Sequence, residues 1–583
     1  NMSETLFKEV SYSLSKLIAD IDIGEIGLPE IQRPFVWTNK KIRDLFDSMY
    51  KGFPVGYLLF WSNGVGDDHR QIGTGKKQRV PRLLIVDGQQ RLTSLYAVLK
   101  GQEVLRSDYK SERIQIAFNP AKQRFEVADA AIKRNPEWIS DISLVWSGEV
   151  KPHRFMKNYI KALKEKEPID SSIEDELFEN MDKLYDLQNY PFTALELSRN
   201  INEEDVADVF VRINSKGTLL NQADFILTLM SVFWDEGRTN LESFCRNTRN
   251  PDIKDSSPFN YFIQPDPDQL LRVSIAYGFK RARLQNVYNI LRGKDLDTGE
   301  FSDRRRKQQF NILQKAQVQV LDVQNWHEFF KAIVSAGYRR GDIISSETGL
   351  LYCYAMYLIG KNDYKVDPFK LRTTMSKWFF MTSLTARYSY SPEGQMEQDL
   401  NNLRDVKSAD DFLSYLNRVI DDLMTDDFWN IRLPNNLATT SARSPSLFAY
   451  YASLNLLGAK GLFSNIKISE LLESGIRSKK SPLERHHLFP KKYLDRIGIV
   501  ERRDQNQIAN YALVEWADNI KISDSPPSEY FKKYAKRFSN WQLKKMMKMH
   551  ALPDGWHKMK FDKFLPLRRK LIANIIKRAF HKL

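Results

Sequence analysis

The sequence predicts a multidomain α+β protein that is predominantly helical, on three observations. The chain has 583 residues, too many for one hydrophobic core, so two to four domains are expected. Short apolar runs at 55–61 and 83–86 read as strands near the front, and a run closing on Pro490 reads as part of a hairpin near the back. Between about 236 and 436 the apolar residues recur at helical spacing: Phe329, Phe330, Ile333 and Val334 on one face, Leu371, Met375, Trp378 and Phe379 on another. The domains are placed at 1–235 (α/β), 236–436 (helical) and 437–583 (mixed), the last boundary in the Asn-, Thr-, Ser- and Pro-rich stretch Asn435–Ser446.

At the front, residues 3–20 allow a helix with Leu6, Val10, Leu14 and Leu17 inward. In Leu28-Pro-Glu-Ile-Gln-Arg-Pro-Phe-Val-Trp37 the two prolines exclude a helix interior and display Gln32 and Arg33 on a stiff, extended loop. Thr38 then caps a helix to about Tyr50. Residues 62–80 are Gly-rich and polar. In Arg82-Leu-Leu-Ile-Val-Asp-Gly-Gln-Gln-Arg-Leu-Thr-Ser-Leu95 a buried strand meets an amphipathic helix carrying Leu92, Leu95, Tyr96 and Leu99. A glycine at such a joint lets backbone N–H groups point at an anion, and Arg91 adds a planar fork suited to phosphate. The opposing reading is a buried, hydrogen-bonded turn. Further on, 113–117 and 124–127 read as a hairpin, and the chain from Trp138 reads as helical. A helix with Val206, Val209, Phe210 and Ile213 inward stops at Asn214-Ser-Lys-Gly217. Leu350 to Gly360 reads as a buried helix, and a further helix covers 447–457.

Net charge is +15. Residues 531–583 hold 16 Lys/Arg against 2 Asp/Glu, so the rest of the chain is nearly neutral. Such an excess suits phosphate contacts that weaken with salt. Lys491, Lys492, Lys532, Lys533 and Lys536 are the candidate DNA contacts, while Tyr534, Phe538 and Trp541 are expected to pack their helix to its domain. No apolar run reaches the ~18 residues of a membrane span. Two cysteines argue against a disulfide framework and fit a reducing cytoplasm.

The chemistry concentrates in Leu483-Glu-Arg-His-His-Leu-Phe-Pro-Lys-Lys-Tyr493. Asn510 follows His487 by 23 residues and Asn519 comes 9 later. This spacing is similar to that of an HNH nuclease, a ββα fold around one divalent metal. Phosphodiester hydrolysis needs a neutral base to take a proton from water, and a cation to hold charge developing on the phosphate. Neighbouring residues of a strand point to opposite faces, so His487 can serve the water while His486 turns to the ion. Asn519 can supply an oxygen ligand, and Asn510 can bond across the loop to fix the strand of the base. With only Cys245 and Cys353, both far upstream, a closed Cys-rich zinc site is excluded here.

This segment, with Ile508–Asn519, Ile522–Tyr530 and Ala551–Trp556, resembles the C-terminal nuclease domain of GmrSD-type restriction endonucleases, type IV enzymes that depend on DNA modification. In that family the positions of His487 (base) and of His486 and Asn519 (metal) carry those roles, with Mg²⁺ or Mn²⁺. Gln32-Arg-Pro-Phe-Val-Trp37 and Asp87-Gly-Gln-Gln-Arg91 resemble the two signatures of the family's N-terminal domain, which is related to the ParB-like nucleotide-binding fold. The resemblance implies a site for GTP or ATP, and NTP hydrolysis, built from Gln32, Arg33, Asp87, Gly88, Gln89, Gln90, Arg91 and Thr93. Asp87 would act on metal or water, and Gln90 and Arg91 on phosphate. Arg212 and Asn214 match a comparable turn near the nucleotide.

The expected function is a nucleotide-regulated, metal-dependent DNA endonuclease or nickase acting in bacterial defence against phage with modified DNA. Glucosylated hydroxymethylcytosine, methylated bases and phosphorothioate backbones are targets within the wider family. A host modification that licenses the enzyme is an allied reading. Two other classes stand beside it: an NTP-dependent DNA-binding regulator with an inactive nuclease domain, and an unregulated nuclease toxin. A homodimer is the assembly left open.

Overall fold

The computed structural model describes the chain except residues 1–5, 28–34, 36, 63–81, 107–108, 150, 167, 199–200, 202–222, 224–225, 228–229, 231–233, 250–255, 296–297, 299–301, 472–482, 516–521 and 523. Gln32, Arg33, Arg212, Asn214 and Asn519 therefore lie outside the described residues. The chain divides into two compact units, 1–221 with 227–236, and 222–226 with 237–583.

The first unit opens with β1 (Phe7–Ser13), α1 (Leu14–Asp22), β2 (Ile26–Gly27), α2 (Asn39–Tyr50), β3 (Leu58–Ser62), β4 (Leu83–Asp87) and α3 (Gln89–Lys100). It continues through β5 (Glu103–Leu105), β6 (Ser111–Arg113), β7 (Ile116–Asn119), β8 (Arg124–Val127), α4 (Ser143–Trp146), α5 (Pro152–Lys164), α6 (Ser171–Tyr185) and β9 (Pro191–Leu197). The main sheet runs β1-β9-β3-β4-β2. Its β1/β9 and β3/β4 pairs are antiparallel, and its β9/β3 and β4/β2 pairs are parallel. Leu58, Phe60, Leu83 and Ile85 from the sheet join Leu92 and Leu95 of α3, and Ile42 and Phe46 of α2, in one core. Apolar side chains at i, i+3 and i+4 put one face of each helix on the sheet, which is why these segments are helical at all. Thr38 caps α2, its hydroxyl accepting from the Lys41 amide.

The single helix expected over 3–20 is corrected. Phe7–Ser13 is a strand, paired residue by residue with β9 from Phe7↔Leu197 to Ser13↔Pro191. Only Leu14–Asp22 is helical, started by Ser13, whose hydroxyl accepts from the Lys16 amide. A strand partner 178 to 190 residues away overrides a local helical spacing, since pairing satisfies backbone groups the helix would otherwise close internally. The hairpin expected from Arg113 is also narrower. β7 pairs with β8, while Arg113 belongs to β6 and pairs with β5.

In the second unit the helices are α7 (Asp235–Arg249), α8 (Pro267–Phe279), α9 (Leu284–Leu291), α10 (Asp303–Val320), α11 (Val323–Ser335), α12 (Glu347–Leu358), α13 (Pro368–Leu384), α14 (Pro392–Asn402), α15 (Ala409–Leu423) and α16 (Leu433–Asn436). After them come α17 (Pro445–Leu456), α18 (Ile468–Leu471), β10 (Leu483–His487), α19 (Lys491–Arg496), α20 (Arg502–Gln505), β11 (Tyr511–Glu515), α21 (Pro527–Ala535), α22 (Asn540–Met549) and α23 (Phe561–Lys582). From Gly349 to Leu358, α12 is buried on all sides, the condition of a central core helix. α17 packs on both α13 and α23. Phe380 meets Phe580 with ring centroids 5.7 Å apart, and Asn455 donates to the Gly337 carbonyl at 2.8 Å. β10 and β11 form an antiparallel pair over a core of Phe489, Tyr530, Trp556, Phe561 and Phe564.

Arg568 of α23 is fully buried beneath this pair. Its guanidinium donates to the Ala509 carbonyl at 2.6 Å and to the His550 carbonyl at 3.2 Å. It thereby ties the last helix to the turn that enters β11. Arg568→Met keeps the bulk and leaves two buried carbonyls without donors, which costs about 2–5 kcal/mol. Chemical denaturation should show that loss; an unchanged midpoint would contradict the role given to Arg568.

Candidate active site

The adjacent histidines lie on β10, where the register is His486↔Ala512 and His487↔Tyr511. Alternation along the strand sends the two rings opposite ways. His486 is 3% exposed, and its ring sits edge-on to Tyr530 at 5.7 Å. His487 is only half-buried and lies against Tyr511, ring centroids 4.5 Å apart. Its Nε2 is 3.1 Å from Asn506 Oδ1. A carboxamide oxygen only accepts, so in this arrangement Nε2 carries the proton and Nδ1 presents the lone pair. Burial lowers the His487 pKa from its ordinary value, the Asn506 bond opposes that, and the charges of Lys491 and Arg485 add to the lowering. The net effect favours a neutral ring.

Asn510 is fully buried and holds the long connection between the two strands. Its Oδ1 accepts from the Phe489 amide at 2.9 Å, and its Nδ2 donates to the carbonyls of Phe489 and Gln505, each at 3.0 Å. Its own carbonyl accepts from the Leu488 amide at 2.8 Å. One carboxamide thus closes the turn that follows His487. An open cleft of about 340 Å³ lies beside the pair, lined by Arg485, His486, His487, Pro490, Lys491, Lys492 and Asp524. Lys492 pairs with Asp524 at 3.2 Å, whereas Lys532, Lys533 and Lys536 are exposed on and just past α21.

Among the described residues no three His, Cys, Asp or Glu side chains gather as a metal cluster. The donors lining the cleft are the imidazoles of His486 and His487 and the Asp524 carboxylate. These are donor types that suit a divalent cation, and the carboxylate is ion-paired with Lys492. Sequence reasoning named no role for Asn506, Asp524, Tyr530 or Arg568. Asn506 and Asp524 stand at no motif spacing; Arg568 is one cation among many in a basic stretch.

In the first unit, β4 ends at Asp87 and α3 begins at Gln89, with Gly88 between them at φ +89°. The positive φ favours glycine at this joint, and a Cβ there would come within 2.5 Å of a Leu58 methyl, which would have to shift. Arg91 Nη1 donates to the Tyr57 carbonyl at 2.8 Å. Its guanidinium also covers Gly56, whose missing Cβ would stand 3.2 Å from Nη2. Burial pulls the Arg91 pKa down and Asp87 holds it up. Gln89 Nε2 donates to the Ile85 carbonyl at 3.0 Å, and Gln90 Oε1 accepts from the Trp37 amide at 3.3 Å. Gln90 therefore joins the end of one sequence signature to the other. Arg106, which sequence reasoning passed over, donates to the Trp37 carbonyl at 2.6 Å and holds that segment from the other side. The Thr93 side chain is buried in α3. The α3 N-terminus has no side-chain cap.

Asn510→Asp keeps the shape and replaces two donated hydrogen bonds by a carboxylate facing two carbonyls. Amide hydrogen exchange at Leu488 and Phe489 should rise by at least tenfold, since each lost buried bond is worth about 1–3 kcal/mol. Protection equal to that of the parent protein would show that the turn does not depend on this carboxamide.

Among the described residues no helix is long and apolar enough to cross a membrane. Over 607 aligned positions the chain is 23% identical to an uncharacterized protein of Methanocaldococcus jannaschii, covering 95% of this chain and 96% of that protein. Residues 14–231 match the family described as GmrSD restriction endonuclease, N-terminal domain.

Proposed function

We propose that the chain is a DNA endonuclease of the restriction type whose hydrolytic site is the cleft at His486 and His487. The match of residues 14–231 to the N-terminal domain of a restriction endonuclease family supports nuclease chemistry on DNA. The observation that carries the assignment to this cleft is a half-buried His487, held by Asn506 in one tautomer, beside the buried imidazole of His486. His487 Nδ1 takes the proton of the attacking water. His486, with Asn519, would hold a Mg²⁺ or Mn²⁺ ion, which supplies charge stabilisation at the scissile phosphate. Lys491 and the exposed Lys532, Lys533 and Lys536 attract the backbone, and Asn510 keeps the turn after His487 in place. The two strands with a following helix support a ββα-metal reading of this part of the chain.

The front unit is read as a nucleotide site of the ParB-like kind. Arg91, Asp87 and the uncapped start of α3 converge at the Gly88 joint, with Gly56 bare beneath the guanidinium. GTP or ATP bound there, and its hydrolysis, would regulate cutting. Gln32, Arg33, Arg212 and Asn214 would complete the site. Defence against phage with modified DNA is the biological setting that fits this pairing of activities, and the cytoplasm is the compartment.

His487→Ala should abolish nicking of plasmid or phage DNA, a loss of at least ~10²-fold, with DNA binding retained. Cutting at the parental rate would refute the base assignment. Arg91→Ala should weaken GTP or ATP binding at least tenfold in a calorimetric titration, because a charge-assisted phosphate contact is worth roughly 1.5–3 kcal/mol. Unchanged affinity for both nucleotides would remove the front site from this reading.

A further inference from the structure

Within the basic C-terminal stretch one aromatic residue departs from expectation. Tyr534 is buried and Phe538 is packed on the core, as a helix-anchoring role requires. Trp541 is 70% exposed, which corrects the expectation that all three pack inward. On α22, Trp541, Lys544, Lys545 and Lys548 fall at i, i+3, i+4 and i+7, so they share one face. The opposite side is anchored by Met546, which is buried, with Leu543 and Met547 beside it. Lys545 Nζ lies 5.2 Å from the centre of the Trp541 ring.

Trp541 and Phe538 also wall a cavity of about 120 Å³ with Lys545, Met546, Asn465 and Gly458. That is well below the ~300–1,000 Å³ of drug-sized pockets, and it suits a single planar ring system. The segment that forms the far wall is bound to the sheet: the Leu462 amide donates to the Leu513 carbonyl of β11 at 2.8 Å. The strands therefore run from β10, which carries the histidines, through β11 to Leu462. Two strand spacings, roughly 10 Å, separate those backbones.

An exposed indole flanked by lysines, over a small cavity with a carboxamide at its rim, has the chemistry of a base-stacking platform. The indole supplies a π-face, the lysines meet the flanking phosphates, and Asn465 offers a donor and an acceptor to a base edge. The geometry points to this cavity as the seat of one unpaired nucleobase of single-stranded DNA. The inference rests on the nuclease reading above, and it adds a site that the His486–His487 cleft does not include. Charge complementarity selects the occupant: 16 Lys/Arg against 2 Asp/Glu over 531–583 would repel a basic peptide and attract a polyanion.

The test uses the full chain carrying His487→Ala, without divalent metal, and fluorescein-labelled oligonucleotides as one single strand and as its blunt duplex. Anisotropy gives each affinity. Trp541→Ala should weaken single-strand binding by about 5- to 150-fold, the range of one lost base stack, and fully paired duplex binding by less than twofold. Trp541→Phe should restore most of the loss. Binding of the single strand unchanged by Trp541→Ala, or lost equally for strand and duplex, would overturn the base seat while leaving the nuclease reading intact. A parent chain that binds neither oligonucleotide would overturn both.

Discussion

The cleft at His486 and His487 rests on a carboxamide with no solvent contact. Asn510 bonds both the amide and the carbonyl of Phe489, and reaches the Gln505 carbonyl as well. A strand ending in two histidines has no reason of its own to stop at the second. The residues after His487 must turn sharply, and a sharp turn leaves backbone groups that helix and sheet do not satisfy. Asn510 satisfies them from 23 residues downstream. The same spacing fixes the register, because β11 starts at the next residue and sets Tyr511 opposite His487. Position along the chain, orientation of the ring and closure of the loop are thus one constraint. Arg568 then secures the residue before Asn510 from below.

The front unit shows the same economy. Gln90 receives the Trp37 amide, and Arg106 donates to the Trp37 carbonyl, so both polar groups of that peptide unit's neighbourhood are held from opposite sides. Glycine is favoured at position 88 because its φ is positive and a Leu58 methyl stands where a Cβ would go. Asp87 and Arg91 are brought together by a strand that ends and a helix that begins within two residues. The internal bonds of Gln89 and Gln90 make them positioning residues of the joint.

Local features were the legible ones. The Thr38 cap, the β4–α3 joint, the buried helix ending near Leu358 and the helix starting near 447 all follow from caps, breakers and periodicity within a dozen residues. The failures have distant causes. β1 reads as helix until β9 is known, and β9 is remote in sequence. Asn506 holds the His487 ring from a loop with no spacing rule. Among 16 basic residues at the C-terminus, nothing local distinguishes the buried Arg568 from its solvated neighbours, or the exposed Trp541 from the packed Tyr534. Burial at those positions is decided by which helix face meets the sheet, and that is settled only when the whole unit packs.

The claim on which the account turns is that His486 binds a cation beside His487. Crystals of the full chain soaked in Mn²⁺ would give an anomalous-scattering map that locates the ion directly. The account predicts one strong peak in the cleft, bonded to an imidazole nitrogen of His486 and to the Asn519 carboxamide oxygen. A map with no peak there, or with manganese held only at residues remote from His486, would contradict it.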